Sequence, residues 1–200
     1  MLWAMTSTIA PPLTTRGAEG LDRRAFSIAD IERMFEAGVL DRDEKFELIR
    51  GEIVPMSPQR RLHSVLRNRL ARWLTAALPS TIEVNPETTV RLGDHQLFDA
   101  DILLSRPLPM DRAYTSLAEA FLVIEVADTT FLRDKRVKAL EYAKVGLPEL
   151  WIVHVEAQET LQLRAPGPQG YGETTAVPFA APLSPLCAPE VRLRLAELAG

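Results

Sequence analysis

The sequence predicts an α/β (α+β) fold, one central mixed sheet flanked by helices with extra β-hairpins. Three observations predict it. Residues 62–78 repeat apolar side chains at helical spacing, as an amphipathic helix does. The segment FLVIEVA (121–127) is a continuous apolar run, as expected of a central strand covered on both faces. Helical and strand patterns are interspersed along the chain, in the order helix, hairpin, helix, several strands, helix, strands. At 200 residues, with 46% hydrophobic and 25% charged residues, the chain has ordinary globular composition and is long enough for one core.

Residues 1–25 contain Pro11-Pro12, Thr14-Thr15, Gly17 and Gly20 with little periodicity, and are expected to be a poorly ordered leader. Residues 26–200 are expected to form a single domain. Ser27 opens a helix with Asp30 at the capping-box position; Ile28, Ile31 and Phe35 follow at helical spacing, and Gly38 stops it. KFELIRGEIVPMSP reads as a hairpin around Arg50-Gly51, closed by Pro55 and Pro58. In the helix from about Leu62 to Leu78, the stripe is Leu62, Val65, Leu66, Leu70, Trp73, Leu74 and Ala77. Arg60, Arg61, Arg67, Arg69 and Arg72 lie mostly off it, on a face that is either solvated or turned to phosphate. Strands are expected at 81–85, 87–92, 97–104 and 120–127. A helix follows from near Leu132 to Gly146, then a buried strand at 150–155 paired with 160–164. Prolines at 166, 168, 178, 182, 185 and 189 make the C-terminal segment an irregular, strand-poor tail, closed by a short alternating strand at Val191, Leu193 and Leu195.

Bulk properties narrow the function. No apolar run approaches the roughly 18 residues of a membrane span, and MLWAMTSTIAPPL lacks the basic start of a secretory signal. The single cysteine, Cys187, excludes an internal disulfide and a multi-cysteine zinc site, and fits a cytoplasmic setting. Lys+Arg 23 against Asp+Glu 27 gives a net charge of −4. A tight, non-specific nucleic-acid binder is usually basic, so any nucleic-acid function must rest on local clusters.

Candidate chemistry begins with Glu125, surrounded by apolar residues. A buried carboxylate must neutralise, pair with a cation or bind a metal. In FDADILL (98–104), Asp99 and Asp101 share a strand face, and Asp101 leads into the core run. On the following helix Asp134, Lys138 and Tyr142 fall at i, i+4 and i+8. Lys138 either forms an exposed helical ion pair with Asp134 or turns toward the carboxylates. Two carboxylates with water suit a hard cation, Mg²⁺ or Mn²⁺, and a neighbouring lysine can stabilise charge on a scissile phosphate. His95 and His154 have no partner at ligand spacing, and no phosphate-binding glycine loop, HExxH or GxSxG occurs.

KFELIRGEIVPMSP, His63 opening a helix, FDADILL, FLVIEVADTT and RDKRVKALEYAKVGLPELWIV, in this order, resemble the Uma-type restriction endonuclease family, a branch of the PD-(D/E)XK nuclease superfamily. The resemblance covers about residues 27–165. It implies a restriction-endonuclease-like fold with a divalent-metal site at one end of the sheet. Asp101 matches the Asp of PD and Glu125 the Glu of (D/E)XK, both as metal ligands. Lys138 matches the lysine that this branch carries on the next helix. Glu47 and His63 match further recurrent positions and are second-tier site residues. Ala100 stands where the pattern has Pro, and Ala127 where the superfamily has Lys. The cation must therefore come from elsewhere, with Lys138 and Lys135 the geometric candidates. Two functions are weighed, the first implied by the resemblance and the second motivated by the acidic balance, by Ala127 and by the absence of a basic tail. One is a Mg²⁺- or Mn²⁺-dependent nuclease acting on DNA, expected to be homodimeric. The other is a catalytically silent nuclease-fold module for binding or assembly.

Overall fold

The apolar and turn patterns build two compact units in a computed structural model of the chain: the described residues up to Met56 together with 93–96, and those from Pro58 to Leu92 together with those from Leu97 onward. The structure describes residues 14–16, 20–56, 58–107, 109, 111, 114–127 and 131–199. Among these, no helix is long and apolar enough to cross a membrane.

In the first unit, β1 (Thr14–Arg16) and β2 (Asp22–Arg24) form an antiparallel ribbon. The composition does not announce these strands; the rest of the expected leader up to residue 13, and residues 17–19, lie outside the described residues. Helix α1 (Ile28–Glu36) starts as predicted, with Ser27 and Asp30 in a complete capping box. The Ser27 backbone N–H donates to Asp30 Oδ2 at 2.8 Å and its hydroxyl at 2.7 Å. Those bonds, led by the backbone one, outweigh burial and, with Arg33 and Arg24, lower the Asp30 pKa to about 2. Strands β3 (Phe46–Ile49) and β4 (Glu52–Pro55) form the predicted hairpin. Its two-residue turn has positive φ at both Arg50 (52°) and Gly51 (80°), which matches the twist of the flanking strands. The 93–96 turn clasps this unit: Gly51 N–H donates to His95 C=O at 2.8 Å, and His95 Nδ1 lies 2.8 Å from Phe26 C=O.

In the second unit, helix α2 spans Arg61–Ala77. Next come β5 (Glu83–Gly93), β6 (Gln96–Ser105), β7 (Thr115–Ser116), a 3₁₀ turn and β8 (Ala120–Ala127). A helical stretch follows as α3 (Phe131–Arg133), a π turn (Asp134–Lys138) and α4 (Ala139–Lys144). Then come β9 (Glu149–His154), β10 (Glu159–Gly167), β11 (Gly170–Pro178) and α5 (Ala196–Ala199). The strand order is β11-β10-β9-β8-β6, with β5 beside β6 and β7 beside β5. Only β8–β9 and β5–β7 are parallel among the pairings described. The β8–β9 pair needs a crossover, which the helical stretch supplies.

Three expectations need correction. The strands expected at 81–85 and 87–92 are one strand, β5, interrupted only by positive φ at Glu87. The α2 seam is rotated: Leu62 is exposed, whereas His63 and Arg67 are buried with Leu66, Leu70, Ala71 and Leu74. A helix buries whichever face meets its partner, and here the first turns meet polar groups. The tail is not strand-poor, because β11 pairs with β10 along its whole length. Its prolines at 166 and 178 fall within β10 and at the end of β11; the expected strand at 191–195 is reduced to one bridge, Leu183 with Leu193. Phe179, Leu183, Ala188, Leu193 and Leu195 join the α2 residues in the core, against Ile102, Ile124, Val126, Trp151 and Val153.

A Cβ on Gly51 would meet Ala25 Cβ at 2.6 Å, at a backbone angle that side chains rarely adopt. Gly51→Ala should destabilise the fold by about 1–3 kcal/mol, seen as a lower urea midpoint at unchanged slope. Asp30 has a folded pKa below its unfolded value, so its contribution is full above about pH 4 and fades as pH falls toward 2. The stability gap between the native chain and Asp30→Asn should therefore shrink over that window, as read by unfolding at stepped pH.

Candidate active site

Pairing between β6 and β8 runs from Ser105↔Ala120 to Ile102↔Ile124. The next residues on the two strands are Asp101 and Glu125. Ile124 and Val126 turn to the core under α2, so strand alternation turns Glu125 to the opposite face, toward the helical stretch 131–144. The sequence thus delivers two acids at the point where two central strands part.

Each acid is buried, Asp101 at 8% exposure and Glu125 at 3%, and each is held by specific partners. Val126 N–H donates to Asp101 Oδ2 at 2.8 Å, where a ladder carbonyl would otherwise accept. His63 Nε2 lies 3.0 Å from the same oxygen. Because a carboxylate accepts, His63 carries its proton on Nε2 in this contact; its buried Nδ1 has no protein partner. Arg67 Nη1 approaches Asp101 Oδ1 at 4.0 Å. On the other side, Lys138 Nζ is 3.2 Å from both Glu125 oxygens and donates to Asp99 C=O at 3.2 Å. Tyr142 OH donates to Glu125 Oε1 at 2.9 Å. Phe98 packs edge-on against the Tyr142 ring and lies under the ammonium.

In the second unit the structure pairs His63 with Asp101 and Lys138 with Glu125. Glu47 belongs to the first unit, where it is fully buried on β3. Of the two lysines left open by the sequence, Lys138 reaches Glu125; Lys135 is exposed and lies over the Phe131 ring. The alternative of an exposed Asp134–Lys138 pair does not hold, since both residues are buried. A π turn lies at 134–138, and such turns re-aim side chains within a helix. Sequence reasoning missed Arg67, assigned to the outer face. The signal was its spacing: Arg67 is one turn beyond His63, so turning His63 inward turns Arg67 inward too.

Among the described residues, no group of three or more His, Cys, Asp or Glu side chains is gathered as a metal cage. Asp101 and Glu125 offer hard oxygen donors only. That set fits an ion such as Mg²⁺, which binds through one or two carboxylates and keeps several waters, and does not fit a tetrahedral nitrogen–sulfur metal. Cys187 is half-buried, and burial, with Glu149 adding to it, pushes its thiol up to about 11, so it is no nucleophile at neutral pH.

Known proteins share this fold. A solved structure from Anabaena variabilis ATCC 29413, described as a "putative nuclease belonging to DUF820", superposes with a TM-score of 0.66 at 18% identity, over 82% of this chain and 94% of that one. At that identity the likeness concerns the fold. None of the curated proteins matches this chain. The model of the Uma2 family, described as "Putative restriction endonuclease", matches residues 29–196. With the match spanning most of its length, the chain belongs to the Uma2 family.

Proposed function

We propose that this protein is a divalent-metal-dependent nuclease that hydrolyses phosphodiester bonds in DNA. The observation that carries the reading is the pair of buried acids, Asp101 and Glu125, beside the parting of β6 and β8, with the Lys138 ammonium 3.2 Å from Glu125. Asp101 and Glu125 are the residues to hold Mg²⁺ or Mn²⁺, which when bound supplies a polarised water and screens the phosphodiester charge. Lys138 brings a fixed positive charge beside Glu125, where a developing negative charge on phosphate would be stabilised. Tyr142 and the Asp99 carbonyl keep Glu125 and Lys138 from swinging away. His63 and the Val126 N–H fix Asp101 through one oxygen, Oδ2. A two-fold homodimer would let two such sites reach both strands of a duplex.

Two observations favour a second reading, a nuclease-fold module that binds without cutting. Both acids already have protein partners, and Ala127 occupies the position of the superfamily lysine.

Incubation of the purified protein with plasmid DNA and Mn²⁺ or Mg²⁺ separates the two. Expected is cleavage that EDTA abolishes and that falls at least about 100-fold in Asp101→Ala and Glu125→Ala. Cleavage unchanged in both variants would overturn the site. No cleavage, together with no Mn²⁺ binding at millimolar concentration by calorimetry, would favour the silent module. Lys138→Met should lower turnover by roughly 100-fold while DNA affinity changes far less, the signature of charge supplied to the transition state.

A further inference from the structure

Arg67 is an unusual residue for the inward side of α2. It is 4% exposed, and its guanidinium lies 4.0 Å from Asp101 Oδ1. A buried guanidinium must be paired. Nη1 donates to Gln59 Oε1 at 2.9 Å and to Glu87 Oε1 at 2.8 Å, while Nε and Nη2 share Asn68 Oδ1 at 3.3 Å. The partners are not alike. The Arg67 side chain is 5% exposed, whereas that of Glu87 is 65% exposed, so the shortest ionic contact joins a fixed, desolvated cation to an anion that faces water.

The backbone at Glu87 carries a second signal. It has φ 49° in the middle of β5, a conformation that costs a non-glycine residue about 1–3 kcal/mol. It follows Pro86, and Thr88 Oγ1 caps the carbonyls of Asn85 and Pro86 at 3.2 and 3.4 Å. This kink interrupts the strand where its side chain meets Arg67. The carboxylate oxygen on Nη1 takes a donor that a phosphate oxygen can take in an arginine–phosphate pair, since both anions accept charge-assisted hydrogen bonds from a guanidinium.

We propose that Arg67, with Gln59, is a subsite for a backbone phosphate of the nucleic acid, and that the Glu87 carboxylate fills it in the free protein as an exchangeable stand-in. The inference rests on the nuclease reading for the identity of the ligand. Binding of a phosphodiester replaces the Glu87 contact on Nη1, and Glu87 swings into water, where its charge is solvated at little cost. Gln59 stays as the neutral partner. Arg67 then draws a phosphate up to Asp101. With Glu87 in place, the added negative charge opposes the incoming strand, which limits binding to ligands that win the exchange.

The test is a double-mutant cycle read by binding in EDTA, so that cleavage plays no part. A fluorescein-labelled 20-mer DNA is titrated with the full chain and with Glu87→Gln, Arg67→Gln and the double variant at two salt concentrations. Expected are affinity several-fold tighter in Glu87→Gln, several-fold weaker in Arg67→Gln, and no gain from Glu87→Gln once Arg67 is gone. A general effect of removing one negative charge would persist in the Arg67→Gln background, and that persistence overturns the proposal. Should Arg67→Gln fail to fold, Arg67→Lys serves: it keeps the charge but loses the Nη1 donor shared by Gln59 and Glu87, and the gain from Glu87→Gln should shrink. Equal affinities for the native chain and Glu87→Gln overturn the subsite even if DNA is cleaved. Tighter binding by Glu87→Gln, lost in the Arg67 background, upholds it even if no variant cleaves. No measurable binding by any variant overturns it.

Discussion

The charges buried where β6 and β8 part are the constraint on which the second unit depends. A carboxylate taken out of water without a partner costs several kcal/mol, and here two lie beside one another on neighbouring strands. Each must be met from a different layer. Asp101 is met by His63 from α2 and by the Val126 N–H in the sheet; Glu125 is met by Lys138 and Tyr142 from the helical stretch. The first turns of α2 therefore present a polar inner face, and only from Leu70 onward is the buried seam wholly apolar.

The same demand explains the irregular helix after β8. Glu125 has no lysine two residues on, where Ala127 is fully buried instead. The cation arrives from the next element, across a π turn, and is pinned by the Asp99 carbonyl. Tyr142, one turn later, reaches the same carboxylate because residues four apart lie on one helical face. With the ammonium carried on the helical stretch, the buried position 127 is held by an apolar alanine.

Away from the acids, another buried carboxylate holds the scaffold. Glu149, fully buried at the start of β9, accepts from Trp151 Nε1, from Arg164 and from the Leu186 N–H. One side chain thus ties β9 to β10 and to the proline-rich tail. This fixes the β8–β9 pair from the side remote from β6, and the parallel register that carries Glu125 is held between two secured neighbours.

Local signals settled much of this protein in advance. The capping box at Ser27 and Asp30, the Arg50-Gly51 hairpin and the apolar run around Glu125 are short-range features, and each is found where the sequence puts it. Asp101 and Glu125 were legible because a charge inside an apolar strand is conspicuous. The choice between Lys135 and Lys138, the inward turn of Arg67, the single strand across Pro86 and the pairing of β11 were not legible, because each is decided by what lies opposite in space. A helix face or an edge strand has several acceptable local states. The sequence alone determined which segments are helix or strand and which acids cannot stay unpaired; only tertiary packing decided which cations reach them, since desolvation acts on the assembled neighbourhood and not on the chain.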